Sequence, residues 1–177
     1  MGGTLLFCTA EEAKTAINSI QSKGRRIYLV ESRECPSDES GFKTEVANEG
    51  DVESAFISAS EKDCQKWYSD HEATALFIEP NHIVIADART AKDGTVLLQW
   101  YRESGEECSP YGVLPPESDT WWDYRILPEH IQNVVACLEF VASDVSFPVY
   151  IGRKDEFTDE NGVFDAEKAD QAMAKGS

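Results

Sequence analysis

The first thirty residues constrain the fold more than any other stretch of this chain. Thr4-Leu5-Leu6-Phe7-Cys8 is an apolar run of strand length, and Thr9 with Glu12 three residues on is a capping-box signature for a helix start. Ala13, Ala16, Ile17 and Ile20 then recur at i, i+3, i+4 and i+7, which puts one apolar stripe on a helix. Gly24 closes that helix, and Arg26-Ile27-Tyr28-Leu29-Val30 supplies a second strand. Strand, helix and strand in so short a span predict a βαβ unit with parallel strands.

The remainder reads as further elements around that unit. Residues 31–50, with Pro36, Gly41 and Gly50 among charged and small polar residues, form a long surface loop. Val52, Ala55, Phe56 and Ala59 keep helical spacing, extended by Trp67 and Tyr68, so the spacing predicts a helix over 51–69. Apolar runs at 73–78, 83–87 and 95–101 are separated by turn residues at 79–82 and 92–94, the pattern of an antiparallel meander. A second long loop, 104–120, holds Gly105, Pro110, Gly112, Pro115 and Pro116. A strand at 122–127 follows, then a helix from Pro128 with Ile131, Val134, Val135, Leu138 and Val141 on its buried side. Residues 147–151 suggest a short edge strand, and a last helix spans 165–174. The fold class is α/β, with α+β as the alternative: one compact domain over 1–152 with a central mixed sheet, an N-terminal βαβ unit, an antiparallel meander and flanking helices. Residues 153–177 read as an acidic C-terminal extension whose short helix packs on the domain or frays from it.

Charge narrows the function. The 177 residues carry 33 Asp and Glu against 16 Lys and Arg, a formal net charge of -17. Affinity for nucleic acid comes from neutralising phosphates, and an anionic membrane surface also selects for cations, so neither partner is expected. No apolar run approaches the roughly 20 residues of a membrane span, and the opening strand is too short for a signal peptide, which makes the cytoplasm the expected compartment. Five cysteines, Cys8, Cys35, Cys64, Cys108 and Cys137, form no close pair, which fits neither a disulfide framework nor a zinc site. Cys8 and Cys137 read as core residues, Cys35 and Cys108 as residues of acidic loops. No metal and no cofactor is expected.

Chemistry-bearing groups are sparse. Asp159-Glu160-Asn161-Gly162 resembles a calcium loop, but the register puts Phe157 and Lys168 where an EF-hand requires Asp and Glu, so a turn leading to a helix capped at Asp165 is the better reading. His71 lies among Ser69, Asp70 and Glu72 near Trp67, while His82 and His130 read as turn or surface residues. Phosphate-binding glycine loops and nucleophile elbows are missing. Trp100-Tyr101-Arg102 and Trp121-Trp122-Asp123-Tyr124-Arg125 gather three of the four tryptophans beside the second loop. Such a set is core packing under a loop, a pocket wall, or a hot spot for a protein partner. Alternation along a strand keeps Trp121 and Trp122 from sharing one face.

The Leu5-Leu6 strand, Tyr124-Arg125-Ile126-Leu127-Pro128-Glu129 and the closing Asp159-Glu160-Asn161-Gly162-Val163-Phe164 resemble the start, middle and end of a small, uncharacterised bacterial domain family. That resemblance implies a compact α/β domain and no particular activity. Two functions are expected from the residues. The first is a non-catalytic acidic protein-binding module, of inhibitor or toxin-neutralising type, docking a basic protein partner through its acidic loops and Trp100, Tyr101, Trp121, Trp122, Tyr124 and Arg125. The alternative is a cofactor-independent enzyme on a small organic substrate in an aromatic-lined pocket under the two loops, with His71 or Asp87 as base and Arg125 as the anion contact.

Overall fold

A computed structural model describes residues 2–102 and 120–176. At its centre lies one five-stranded sheet of β1 (Gly3–Cys8), β2 (Ile27–Leu29), β3 (Ile78–Ala86), β4 (Val96–Arg102) and β5 (Thr120–Ile126), in the order β2-β1-β3-β4-β5. β1 runs parallel to β2 and β3, while the β3–β4 and β4–β5 pairs are antiparallel. The α/β fold, its mixed sheet, the opening βαβ unit and the meander are therefore present as expected.

Strand alternation sorts the core onto two faces. Leu6, Cys8, Val84, Leu98, Trp100 and Tyr124 face one layer, covered by α1 (Ile17–Lys23), α4 (Ile131–Glu139) and α6 (Ala166–Lys175). Leu5, Phe7, Ile83, Ile85 and Leu97 face the other, under Phe56 and the Trp67 and Tyr68 side chains of α2 (Glu61–His71). Two shorter helices, α3 (Thr90–Asp93) and α5 (Ser143–Phe147), complete the set. Residues 153–176 join the first layer, because Phe164, Ala166 and Ala169 are buried in it and Phe164 N donates to Arg125 O at 2.8 Å. Asp165 caps α6 by accepting from Lys168 N, as its position after the turn predicts.

Several local expectations need correction. Thr9 does not cap the first helix: its amide donates to Ala86 O at 2.9 Å, tying it to β3, and the chain enters α1 through a 3-10 turn at Glu11–Ala16 with no side-chain cap. The helix expected over 51–69 is only Glu61–His71. Upstream of it, Ser54 Oγ donates to Cys8 O at 2.7 Å and Ser58 N to Thr9 O at 2.8 Å, which pins 52–59 onto the sheet as turns, with Ser58 at φ 64. Val52 and Phe56 keep their apolar spacing but satisfy it by burial outside a helix. The reciprocal Ser60–Asp63 capping box then fixes where α2 begins.

The strand expected at 73–78 is absent, since 73–77 form turns after α2, and β3 begins at Ile78 and runs through the expected turn into the strand expected at 83–87. Gly3 pairs with Ile78 and Leu5 with Ile83, so Glu79, Pro80, Asn81 and His82 form a wide bulge where a hairpin turn was expected. Residues 147–151 are not an edge strand either. Pro148 opens a π-helical turn, Pro148–Gly152, that buries Val149, Tyr150 and Ile151. After Pro128 a 3-10 turn precedes α4, which stops at Glu139 before Val141. The expected loop 104–120 lies outside the described residues except for Thr120, which belongs to β5. The 31–50 segment is held down by buried Phe42 and Val46 and by Leu29 N donating to Lys43 O at 2.9 Å.

Candidate functional site

In an open sheet with parallel strands, the crevice at the C-terminal ends of two strands whose connections leave in opposite directions is the favoured ligand position. Here that point lies between β1 and β3, and a cleft of about 520 Å³ opens there, lined by Thr9, Ser60, Glu61, Lys62, Asp87 and Leu97. Asp87 follows the last residue of β3, and Arg125 lies opposite Leu97 on β5, so its guanidinium reaches across β4. It forms a bidentate pair with Asp87, Nη1 to Oδ1 at 3.0 Å and Nη2 to Oδ2 at 2.5 Å. Asp87 Oδ1 also accepts from Arg89 N and Thr90 N, both at 3.1 Å. Burial pushes the Asp87 carboxyl up, but Arg125 and the Thr90 donors outweigh it and hold the group below the usual carboxylate range. A carboxylate so occupied is a weak base, and the guanidinium facing it is already spent.

His71 is elsewhere. It ends α2, whose opposite end lines the Asp87 cleft, and eleven residues of helix separate the two by about 15 Å. Its Nδ1 lies 2.7 Å from Trp67 O and its ring 4.4 Å from the Trp67 ring. The structure brings Asp87 and Arg125 together and leaves His71 out, so the three form no shared site.

The aromatic candidates divide by strand parity. Trp100 and Tyr124 belong to the first core layer, with Tyr124 OH donating to Tyr150 O at 2.9 Å and the Trp100 indole N–H donating to Glu139. Trp122 is half-buried against the same layer, and its Nε1 meets no acceptor among the described residues. On the opposite face Trp121 is half-buried, edge-on to Tyr68 at 5.6 Å and 5.1 Å from the Tyr101 ring. These side chains sit on strands, as the runs at 95–101 and 122–127 predicted, and β5 begins early enough to include Trp121 as well. The most exposed large apolar side chains among the described residues are Leu76 at 89%, which the sequence placed in a strand at 73–78, and Phe140 at 85%.

Polar networks that the sequence did not signal surround these aromatics. Buried Gln99 donates to Glu61 Oε2 at 2.7 Å and Asp123 Oδ1 at 2.8 Å, and accepts from Gln65 Nε2 at 3.0 Å. At the β3 bulge, Asn81 donates to Tyr68 OH at 2.6 Å through its backbone and to Glu139 Oε2 at 3.1 Å through its side chain. Burial raises the Cys8 thiol to about 11 and the Cys64 thiol to about 12, so neither is an activated nucleophile. Cys35 is also raised by burial, and Cys108 lies outside the described residues. Among the described residues no group of three His, Cys, Asp or Glu is arranged to hold a metal ion. None of their helices is long and apolar enough to cross a membrane.

The remaining feature is electrostatic. Residues 31–63 carry ten carboxylates against Arg33, Lys43 and Lys62. Phe42, Val46, Val52 and Phe56 are buried beneath the segment, while Glu34, Asp38, Glu45, Glu49, Asp51, Glu53, Glu61 and Asp63 stay exposed. Glu31 and Glu39 are paired with Lys43 and Arg26. Fold and site together define a class: a small mixed-sheet α/β protein with its ionisable core groups committed to one another and an ordered acidic rim. No protein-family model, curated protein or solved structure matches this chain.

Proposed function

We propose that this protein is a non-catalytic binding module that docks a basic protein through the acidic segment 31–63. The observation that carries the reading is the contrast within that segment, apolar side chains buried on the sheet and eight carboxylates left in solvent. A surface ordered before binding loses less conformational freedom on association, and a field of one sign steers a partner of the other. The half-buried Tyr101, Trp121 and Trp122 are the candidate aromatics with surface to contribute rigid area, since Trp100 and Tyr124 are enclosed. An inhibitor or toxin-neutralising protein is the type such a module fits, with the cytoplasm as compartment and neither nucleic acid nor membrane as partner.

The test is affinity capture from host lysate with the intact protein and with a Glu45→Lys, Glu49→Lys, Glu53→Lys variant, at low salt and at roughly 0.5 M salt, where charge is screened within a few ångströms. A basic protein retained by the wild type at low salt, released by high salt and lost from the variant supports the reading. Equal retention by the variant, or a co-purifying metabolite with no protein, overturns it in favour of the small-molecule alternative.

A further inference from the structure

We infer that the outer edge of β5 takes an added strand from the basic partner, with a cationic side chain of that strand set beside Asp123 and Glu61. The inference rests on the docking reading above and deepens it, because Glu61 belongs to the acidic segment.

β5 ends the sheet on its side, with β4 on one flank and no strand on the other. One contact fixes the parity of its hydrogen bonds: Arg125 O accepts from Phe164 N at 2.8 Å, so Arg125 turns its backbone groups away from β4. Trp121 and Asp123 share that parity, and their N–H and C=O groups point outward as well. Phe164 occupies the edge at Arg125, whereas the outward groups of Trp121 and Asp123 have no hydrogen-bond partner among the described residues. Two unpaired rungs beside an exposed side chain are what an extended peptide uses when it joins a sheet edge.

The charge of the occupant follows from Gln99, which is 1% exposed. Gln65 Nε2 donates to its Oε1 at 3.0 Å, and its own Nε2 donates to Glu61 Oε2 at 2.7 Å and Asp123 Oδ1 at 2.8 Å. One buried nitrogen thus holds two carboxylates side by side, both on exposed residues and neither in an ion pair among the described residues. The Lys154 ammonium lies 5.0 Å from the Tyr124 ring centroid, in the first core layer, and bonds neither of them. Like charges held this close repel, and a cation beside them relieves the repulsion. A second copy of this chain would bring the same carboxylates and another formal charge of -17 to the edge, so a basic strand is favoured over self-pairing.

Strand parity then sets the sequence of the docking strand. A residue facing Asp123 across the new pair has its side chain on the same face, where a lysine or arginine meets both carboxylates. Two residues away, the facing side chain lies against half-buried Trp121, and an apolar group fits there.

The intact, isotope-labelled protein is titrated at low salt with acetylated Ser-Val-Thr-Lys-Thr-Val-Ser amide, whose symmetric pattern suits either strand direction, and with its glutamate counterpart. The lysine peptide is expected to shift the Trp121 and Asp123 backbone amides and slow their hydrogen exchange, and the glutamate peptide to do neither. Asp123→Asn keeps the Gln99 contact and drops the charge, and is expected to weaken binding about threefold, the scale of one cross-strand charge pair. Asp123→Pro removes the outward N–H while the β4 ladder, carried by Trp122 and Tyr124, stays intact, and is expected to abolish binding. Should that variant not fold, peptide methylation serves the same purpose: binding is lost on methylating the Lys and Val nitrogens if the added strand is antiparallel, and the Thr nitrogens if it is parallel. Binding that survives both methylations overturns the added strand. Shifts confined to 31–59, with both Asp123 variants binding as well as wild type, overturn the edge while leaving acidic docking in place. Equal binding of the glutamate peptide overturns the basic occupant. Shifts of the same amides with protein concentration alone assign the edge to a second copy and overturn the proposal. No binding of either peptide overturns the added strand, and the docking reading is then decided by the Glu45, Glu49 and Glu53 variant, which leaves β5 unchanged.

Discussion

His82 has 1% of its surface exposed, with Nδ1 2.9 Å from Pro80 O and Nε2 3.0 Å from Thr4 Oγ1. A carbonyl only accepts, so the proton of the neutral ring sits on Nδ1, while the one Thr4 hydroxyl proton has both Nε2 and Glu79 Oε2, at 3.1 Å, within reach. Glu79 lies 3.6 Å from Nε2, and Gln132 donates to the same Thr4 oxygen at 3.4 Å. Burial pushes the ring down to about 4, against the opposing pull of the Pro80 carbonyl. The unfolded chain therefore takes up a proton near its ordinary value of about 6.5 while the folded chain stays neutral. Stability is full above that value and falls as pH drops from about 6.5 to about 4, by on the order of 3 kcal/mol. Chemical denaturation across that range should show the slope, and His82→Gln should remove most of it; an unchanged slope in the variant would assign the loss to other groups. The Asp87–Arg125 pair acts in the same direction at lower pH, since its depressed carboxylate is protonated only in stronger acid. Arg125 has 13% of its side chain exposed, so Arg125→Leu should cost about 2 kcal/mol by stranding Asp87. Adding Asp87→Asn should recover part of that in a double-mutant cycle, and strict additivity would argue against coupling.

Elements show why some of this fold was legible in the sequence and some was not. The βαβ unit was readable because Leu5, Leu6, Ile17 and Ile20 carry a local period that tertiary packing then uses unchanged. The 51–59 stretch misleads because Val52 and Phe56 have the spacing of a helix while hydrogen bonds from Ser54 and Ser58 to the β1 end hold them otherwise. Those are contacts across about fifty residues, invisible to any local pattern. The bulge at 79–82 was mistaken for a turn for a related reason: Pro80 and Asn81 are turn residues, and only pairing with β1 shows that the strand resumes. Phe56 is the anchor of the acidic segment, with 0% exposure, 4.8 Å from the Phe7 ring and capped by Arg33 at 4.2 Å. Phe56→Ala should cost about 3 to 5 kcal/mol and release the amides around it to hydrogen exchange ahead of β1 and β3. If exchange instead rises uniformly across the sheet, the segment is not a separable unit.

At the scale of the whole molecule the candidate site was legible in charge but not in shape. The excess of carboxylates at 31–63 is plain from the sequence, yet nothing there sets Glu61 and Asp123 on one Gln99 amide. Those residues meet only because α2 lies over β4, where Gln99 pairs with Asp123. The same excess has a consequence that needs no partner. A formal charge of -17 repels itself, and added salt screens that repulsion along with the attractive pairs. The pairs are mostly weak: Arg26–Glu39 has side chains 45% and 55% exposed, and Lys43–Glu31 has 41% and 22%, a class worth up to about 1 kcal/mol each. Repulsion among the uncompensated carboxylates of 31–63 should therefore dominate. The melting temperature is expected to rise by several degrees between about 0.02 and 0.5 M sodium chloride, a range over which the Debye length contracts from roughly 20 Å to a few ångströms. Glu45→Lys, Glu49→Lys, Glu53→Lys should melt higher than wild type at low salt, and its dependence on salt should be flatter. A melting temperature that falls with salt would mean that the ion pairs outweigh the repulsion, and that the acidic rim stabilises the fold and is not strain carried for a partner.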